Sequence, residues 1–157
     1  MNRHPITRQG YVRLKEELEH LRKVELPRNV QAIAEARAHG DISENAEFHA
    51  AKERQSILAS KIMELENILA QTEVVDPLPP AEGRVVFGAK VTVYDPEVQT
   101  EAMYQLVGQW ESDPGQGRIS IVSPLGQALL GREEGDEVRF KAPGGARLLE
   151  IVEITQG

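Results

Sequence analysis

Three observations on the 157-residue sequence predict an α+β chain. It consists of an N-terminal antiparallel α-helical coiled-coil hairpin followed by a mainly antiparallel β domain. Apolar residues recur at spacings of three and four from Thr7 to about Gln71. The stretch Val74-Val75-Asp76-Pro77-Leu78-Pro79-Pro80-Ala81-Glu82-Gly83 then breaks that pattern. Beyond it the apolar period falls to two. The expected division is residues 1–76 for the hairpin, 77–83 for a linker and 84–157 for the β domain.

In the first arm, Leu14, Leu18 and Leu21 form one apolar series, and Leu26, Val30 and Ile33 form a second. The two are out of heptad phase, and Pro27 lies between them. Proline removes a backbone donor, so a local irregularity is expected there within one continuous arm. The second arm is more regular: Phe48, Ala51, Gln55, Leu58, Ile62, Leu65 and Leu69 alternate by three and four, a seam with one polar member. Gly40 separates the arms and is the natural stop for the first, because glycine accepts the positive φ that ends helices. Arms of about 30 residues would each be about 45 Å long, and they must fold back to bury their stripes.

In the second half the expected strands are Lys90–Tyr94, Met103–Val107, Arg118–Val122, Glu137–Lys141 and Arg147–Ile154. Pro143-Gly144-Gly145 supplies the last turn, and Leu125–Leu130 one short helix.

Composition narrows the function classes. Without cysteine there is no disulfide, thiol catalysis or Cys-based zinc site. No apolar run is long enough to span a bilayer, and Met1-Asn2-Arg3-His4-Pro5 lacks a secretory apolar stretch, so a cytoplasmic protein without a membrane partner is expected. The formal charge of −7 divides as −2 over residues 1–78 (11 basic, 13 acidic) and −5 over residues 79–157 (7 basic, 12 acidic). Duplex binding relies on many cationic contacts, so contact with nucleic acid is expected only under the guidance of another protein.

Asp41 and Glu44, where the chain reverses, carry the most chemical information. Their spacing fits a capping box opening the second helix. Such caps are common, so on spacing alone that reading is favoured; the alternative is hard oxygen ligands for a cation, or groups that orient a water. Two carboxylates cannot complete the coordination shell of Mg²⁺, so in that reading a partner macromolecule or substrate phosphates supply the rest. His39 and His49 stand nearby without a recognised zinc spacing and read as structural or surface residues. Ser123-Pro124 lacks a nucleophile-elbow context, Gly115-Gln116-Gly117 is too weak for a phosphate loop, and Trp110 reads as packing.

The tip segment Ile33-Ala34-Glu35-Ala36-Arg37-Ala38-His39-Gly40-Asp41-Ile42-Ser43-Glu44-Asn45-Ala46-Glu47-Phe48-His49-Ala50-Ala51-Lys52-Glu53 resembles the signature of the bacterial GreA/GreB transcript-cleavage factor family. The resemblance extends through Ile6-Thr7-Arg8-Gln9-Gly10-Tyr11, Gly83 to Val93, Ser123 to Gly131 and Lys141 to Gly145, in order and over nearly the whole chain. It implies that the hairpin enters the secondary channel of bacterial RNA polymerase while an FKBP-like C-terminal domain docks at the rim. Asp41 and Glu44 would then help hold a second Mg²⁺, shared with the polymerase, and orient the water that cuts the backtracked RNA 3′ end. By the same resemblance Arg37 and Lys52 belong to a basic patch near the RNA, and Asn45 and Phe48 support the tip. Arg54 is a weaker candidate for the patch. The chain is thus expected to be a monomeric accessory factor with no tightly bound cofactor of its own, and not a free-standing nuclease. The limited basic content near the tip favours the GreA type within the family.

Two other classes compete. A channel-occupying inhibitor would block polymerase without helping cleavage, although the tip lacks the additional acidic groups of inhibitory relatives. A prolyl isomerase would use the β domain, but aromatic residues make up only 4% of the chain, and fold analogy does not establish a site.

Overall fold

The computed structural model describes residues 3–40, 45–76 and 83–156. The chain divides into two compact units, one of residues 11–71 and one combining residues 1–10 with 72–157. This differs from the expected boundary at residue 76, and the reason is a short parallel pair. Strand β1 (His4–Ile6) lies beside β2 (Thr72–Val74), with Ile6 opposite Val74. Val75 N–H donates to Ile6 O at 2.9 Å, and Arg8 makes a two-pronged ion pair with Asp76, at 3.0 and 2.9 Å. Both ends of the helical region therefore belong to the second unit.

In the helical unit, α1 (Arg8–His20), a π-helical turn (Leu21–Glu25) and α2 (Leu26–Ala38) follow one another as the first arm. The expected irregularity is this π turn. The Leu26 N–H donates to Leu21 O, five residues back, immediately before Pro27, which has no N–H to give. The second arm is α3 (Ala46–Gln71). Its seam is the expected one: Phe48, Leu58 and Leu65 are buried, and Ala51, Gln55, Ile62 and Leu69 are half-buried. The first arm departs from expectation after the π turn. Val30 is 52% exposed, and Asn29 at 5% takes the inward position. A buried amide requires a partner, and Asn29 Nδ2 finds Ala51 O across the hairpin at 2.9 Å. Ile33 and Ala36 continue the seam toward the tip.

The second unit holds a five-stranded sheet in the order β5-β4-β3-β7-β6. Its strands are β3 (Lys90–Asp95), β4 (Thr100–Val107), β5 (Arg118–Ser120), β6 (Glu137–Ala142) and β7 (Gly145–Thr155). Every pairing is antiparallel except β4 with β5. All five expected strands are present, and Pro143-Gly144 forms the last turn. Strand β5 stops early because the chain turns into α4 (Pro124–Leu129). Ser123 caps that helix, its Oγ accepting from Gly126 N–H at 3.1 Å. Alternate residues of the strands, among them Val91, Val93, Leu106, Val138 and Ile151, bury one face against Leu129 and Val85.

Candidate functional site

At the tip, α2 ends at Ala38, and Gly40 takes a φ of +148°, a value side chains disfavour. The next helix starts at Ala46, and its cap is Asn45: the Oδ1 accepts the Phe48 N–H at 3.1 Å. The amide Nδ2 of the same residue donates to Ala36 O, in the last turn of α2. Phe48 is 8% exposed, and the Arg37 guanidinium lies over its ring, 5.7 Å from the centroid. His49 meets the same ring edge-on at 5.7 Å. Three of the expected tip residues, Arg37, Asn45 and Phe48, are thus brought together. Lys52 is exposed one turn further along α3. Asp41 and Glu44 lie outside the described residues. With Asn45 in the capping position, α3 does not need the Asp41–Glu44 pair as its capping box.

Arg54 is engaged elsewhere. Its Nη2 meets Glu25 Oε2 at 3.0 Å, and His20 and Arg28 approach the same carboxylate at 3.2 and 3.7 Å. The hydrogen bond from Arg54 is the main cause holding the Glu25 carboxyl below its usual range. Arg54 is therefore a cross-hairpin tie beside the π turn, which weakens its candidacy for the basic patch.

Sequence reasoning missed Glu111. This side chain is 6% exposed at the start of α1. Its Oε2 accepts from Thr7 N–H at 2.9 Å and Gly108 N–H at 2.8 Å, while the Thr7 hydroxyl donates to Oε1. Thr7 Oγ1 in turn accepts from Gly10 N–H at 3.0 Å and caps α1. A Cβ on Gly10 would lie 2.0 Å from Glu111 Oε1, so the glycine makes room for the carboxyl. A lone Glu in a turn gives no signal of this in sequence. Nearby, Trp110 packs edge-on against His4 at 5.2 Å, which agrees with its packing role.

In the β domain, Ser123 caps a helix that begins at Pro124, and Gly115-Gln116-Gly117 closes a short turn. An open depression of about 190 Å³ is lined by Tyr104, Phe140 and Leu149, with an Asp95–Arg147 ion pair at its wall. Low aromatic content has thus not kept two aromatic rings from sharing one concavity.

Comparison with known proteins matches both halves. The family described as transcription elongation factor, N-terminal (GreA_GreB_N) matches residues 4–74. The family described as transcription elongation factor, GreA/GreB, C-term matches residues 80–156. Transcription elongation factor GreA of Brucella canis is 49% identical over 154 residues, covering 98% of both chains, and that of Brucella melitensis biotype 1 is equally similar. Among solved structures, GreA factor homolog 1 of Thermus thermophilus is 28% identical, covers 98% of this chain and 99% of its own, and overlays with a TM-score of 0.43. On the strength of the two family matches and the full-length relatives, this chain belongs to the GreA/GreB family of transcription elongation factors.

Proposed function

We infer that the chain inserts its helical hairpin into the secondary channel of bacterial RNA polymerase and stimulates the polymerase's own Mg²⁺-dependent cleavage of backtracked RNA 3′ ends. Family membership over both halves supports the elongation role. The observation that carries the finer reading is Asn45: because it caps α3, that helix does not need Asp41 and Glu44 as its capping box, and the metal-delivery reading of the pair is the one this favours.

Asp41 and Glu44 would be the groups that help hold the metal. Their hard carboxylate oxygens suit Mg²⁺, and two of them leave most of its shell to other donors. Asn45 adds no ligand, since its oxygen and nitrogen are both engaged within the hairpin. When bound, Mg²⁺ in a two-metal arrangement stabilises the attacking and leaving oxygens of phosphoryl transfer. This chain's own contribution is to deliver carboxylates, orient a water and present cationic side chains toward the RNA. Arg37 and Lys52 are the residues for the last task, in a monomeric factor acting where the polymerase is, in the cytoplasm.

The test is to add the purified chain to halted, backtracked bacterial transcription complexes in Mg²⁺ and follow 3′-end release on a gel. Short fragments are expected, lost with Asp41→Asn and reduced with Glu44→Gln, while binding to polymerase persists. Full activity of both variants would remove the carboxylates from the mechanism. Inhibition of nucleotide addition with no RNA shortening would establish the blocking class instead.

A further inference from the structure

Only one of the two side-chain hydrogen bonds of Asn45, one accepted and one donated, is explained by helix capping. The bond from Phe48 N–H to Oδ1 is an ordinary cap, which Ser or Asp makes equally well. The bond from Nδ2 to Ala36 O is different, because it joins the two arms. Ala36 is 3% exposed, and its carbonyl already accepts the His39 N–H at 3.2 Å, so α2 does not depend on Asn45 to occupy it. Among cap-forming side chains, Asn alone offers an acceptor and an N–H donor at separate ends of one planar group. Ser and Thr carry both functions on a single oxygen, and ionised Asp has no donor. The neighbouring residue adds a second tie, since Arg37 lies over the Phe48 ring. Two successive residues of α2 are thus fixed to the first turn of α3.

We propose that the Asn45 side-chain N–H is a positioning group for the cleavage reaction, joining the end of α2 to the start of α3 and so fixing the two chain ends between which Asp41 and Glu44 lie in sequence. This rests on the function proposed above. A misplacement of about 1 Å at a reacting centre costs on the order of 100-fold in rate.

Asn45→Ser separates the two bonds, because it keeps an uncharged cap acceptor and removes the long-reach donor. Asn45→Asp keeps the cap and adds favourable charge at the helix N-terminus. The full-length variants would be compared with the unmodified chain in the backtracked-complex assay. Measured alongside are the factor concentration giving half-maximal cleavage, the melting temperature and amide exchange in residues 33–38 and 46–52. Expected for Asn45→Ser is a saturating cleavage rate about tenfold lower. Half-maximal concentration and melting temperature should stay near those of the unmodified chain, with faster exchange in both segments. Asn45→Asp should likewise lose rate despite its better cap. Unchanged saturating rate and exchange in Asn45→Ser would overturn the proposal, as would a rate loss fully restored by Asn45→Asp. If the unmodified chain stimulates no cleavage, the proposed function itself fails. The positioning role fails with it, and exchange then reports only whether the cross-arm tie exists.

Discussion

Glu111 is a buried carboxylate of the second unit with three hydrogen bonds to satisfy it. Its carboxyl sits at the N-terminus of α1, where an acidic group is favoured, and it collects donors from Thr7, 104 positions away in sequence, and from Gly108. Glu111→Ala would leave the buried N–H groups of Thr7 and Gly108 without that acceptor. The expected loss is about 1–3 kcal/mol for each donor that finds no replacement, read from urea unfolding of the full chain. Gly108 is constrained from another direction, because a Cβ there would lie 2.3 Å from Pro5 O. Gly108→Ala should therefore cost about 1–3 kcal/mol through overpacking against backbone, measured in the same way. Neither residue belongs to the helical unit, so any cleavage stimulated at saturating factor should change less than the stability does.

At the scale of elements, the π turn is the place where sequence and geometry bargain. Pro27 cannot donate to the carbonyl four residues back, and the preceding turn widens to i→i−5 bonding. Pro27→Ala restores the donor, and the hairpin should gain about 1 kcal/mol or more, with slower amide exchange in residues 21–29. Beside this turn Glu25 makes a pH-dependent contribution. Its folded pKa is depressed, chiefly by Arg54, so its stabilisation is complete above the unfolded value of about 4.3 and is lost as pH falls through the folded pKa. Acid titration of hairpin helicity should show that loss, and Glu25→Gln should flatten it. Legibility followed the strength of local patterns. The α3 seam and the five strands were readable because each repeats its period over several residues. Val30 was misplaced because the apolar pattern favoured it, whereas the hydrogen bond from Asn29 to Ala51 O decided the inward position. The β1–β2 pair has three residues per strand and joins segments 68 positions apart, so no local period announces it. At the tip, motif resemblance brought out Asn45, Phe48 and Arg37, but neither spacing nor motif disclosed that one amide serves both arms.

For the whole molecule, the second unit is discontinuous in sequence. A fragment of residues 72–157 lacks β1, Thr7 and the start of α1, and so leaves β2 without β1 and Glu111 without the two donors of Thr7. Its melting temperature should fall below that of the same unit in the full chain, and a peptide of residues 1–10 should recover part of the difference. A melting temperature equal to that of the intact chain would show that the first strand contributes nothing. The discontinuity also orders events at the ribosome. The hairpin is made of neighbouring segments and needs only residues 11–71 to close. Thr7, synthesised before the hairpin, has no carboxyl to bind until Glu111 has been added and has left the exit tunnel. A segment made before the hairpin is therefore settled only after it, and the second unit closes around a strand that has waited for the rest of its sheet and turn to be made.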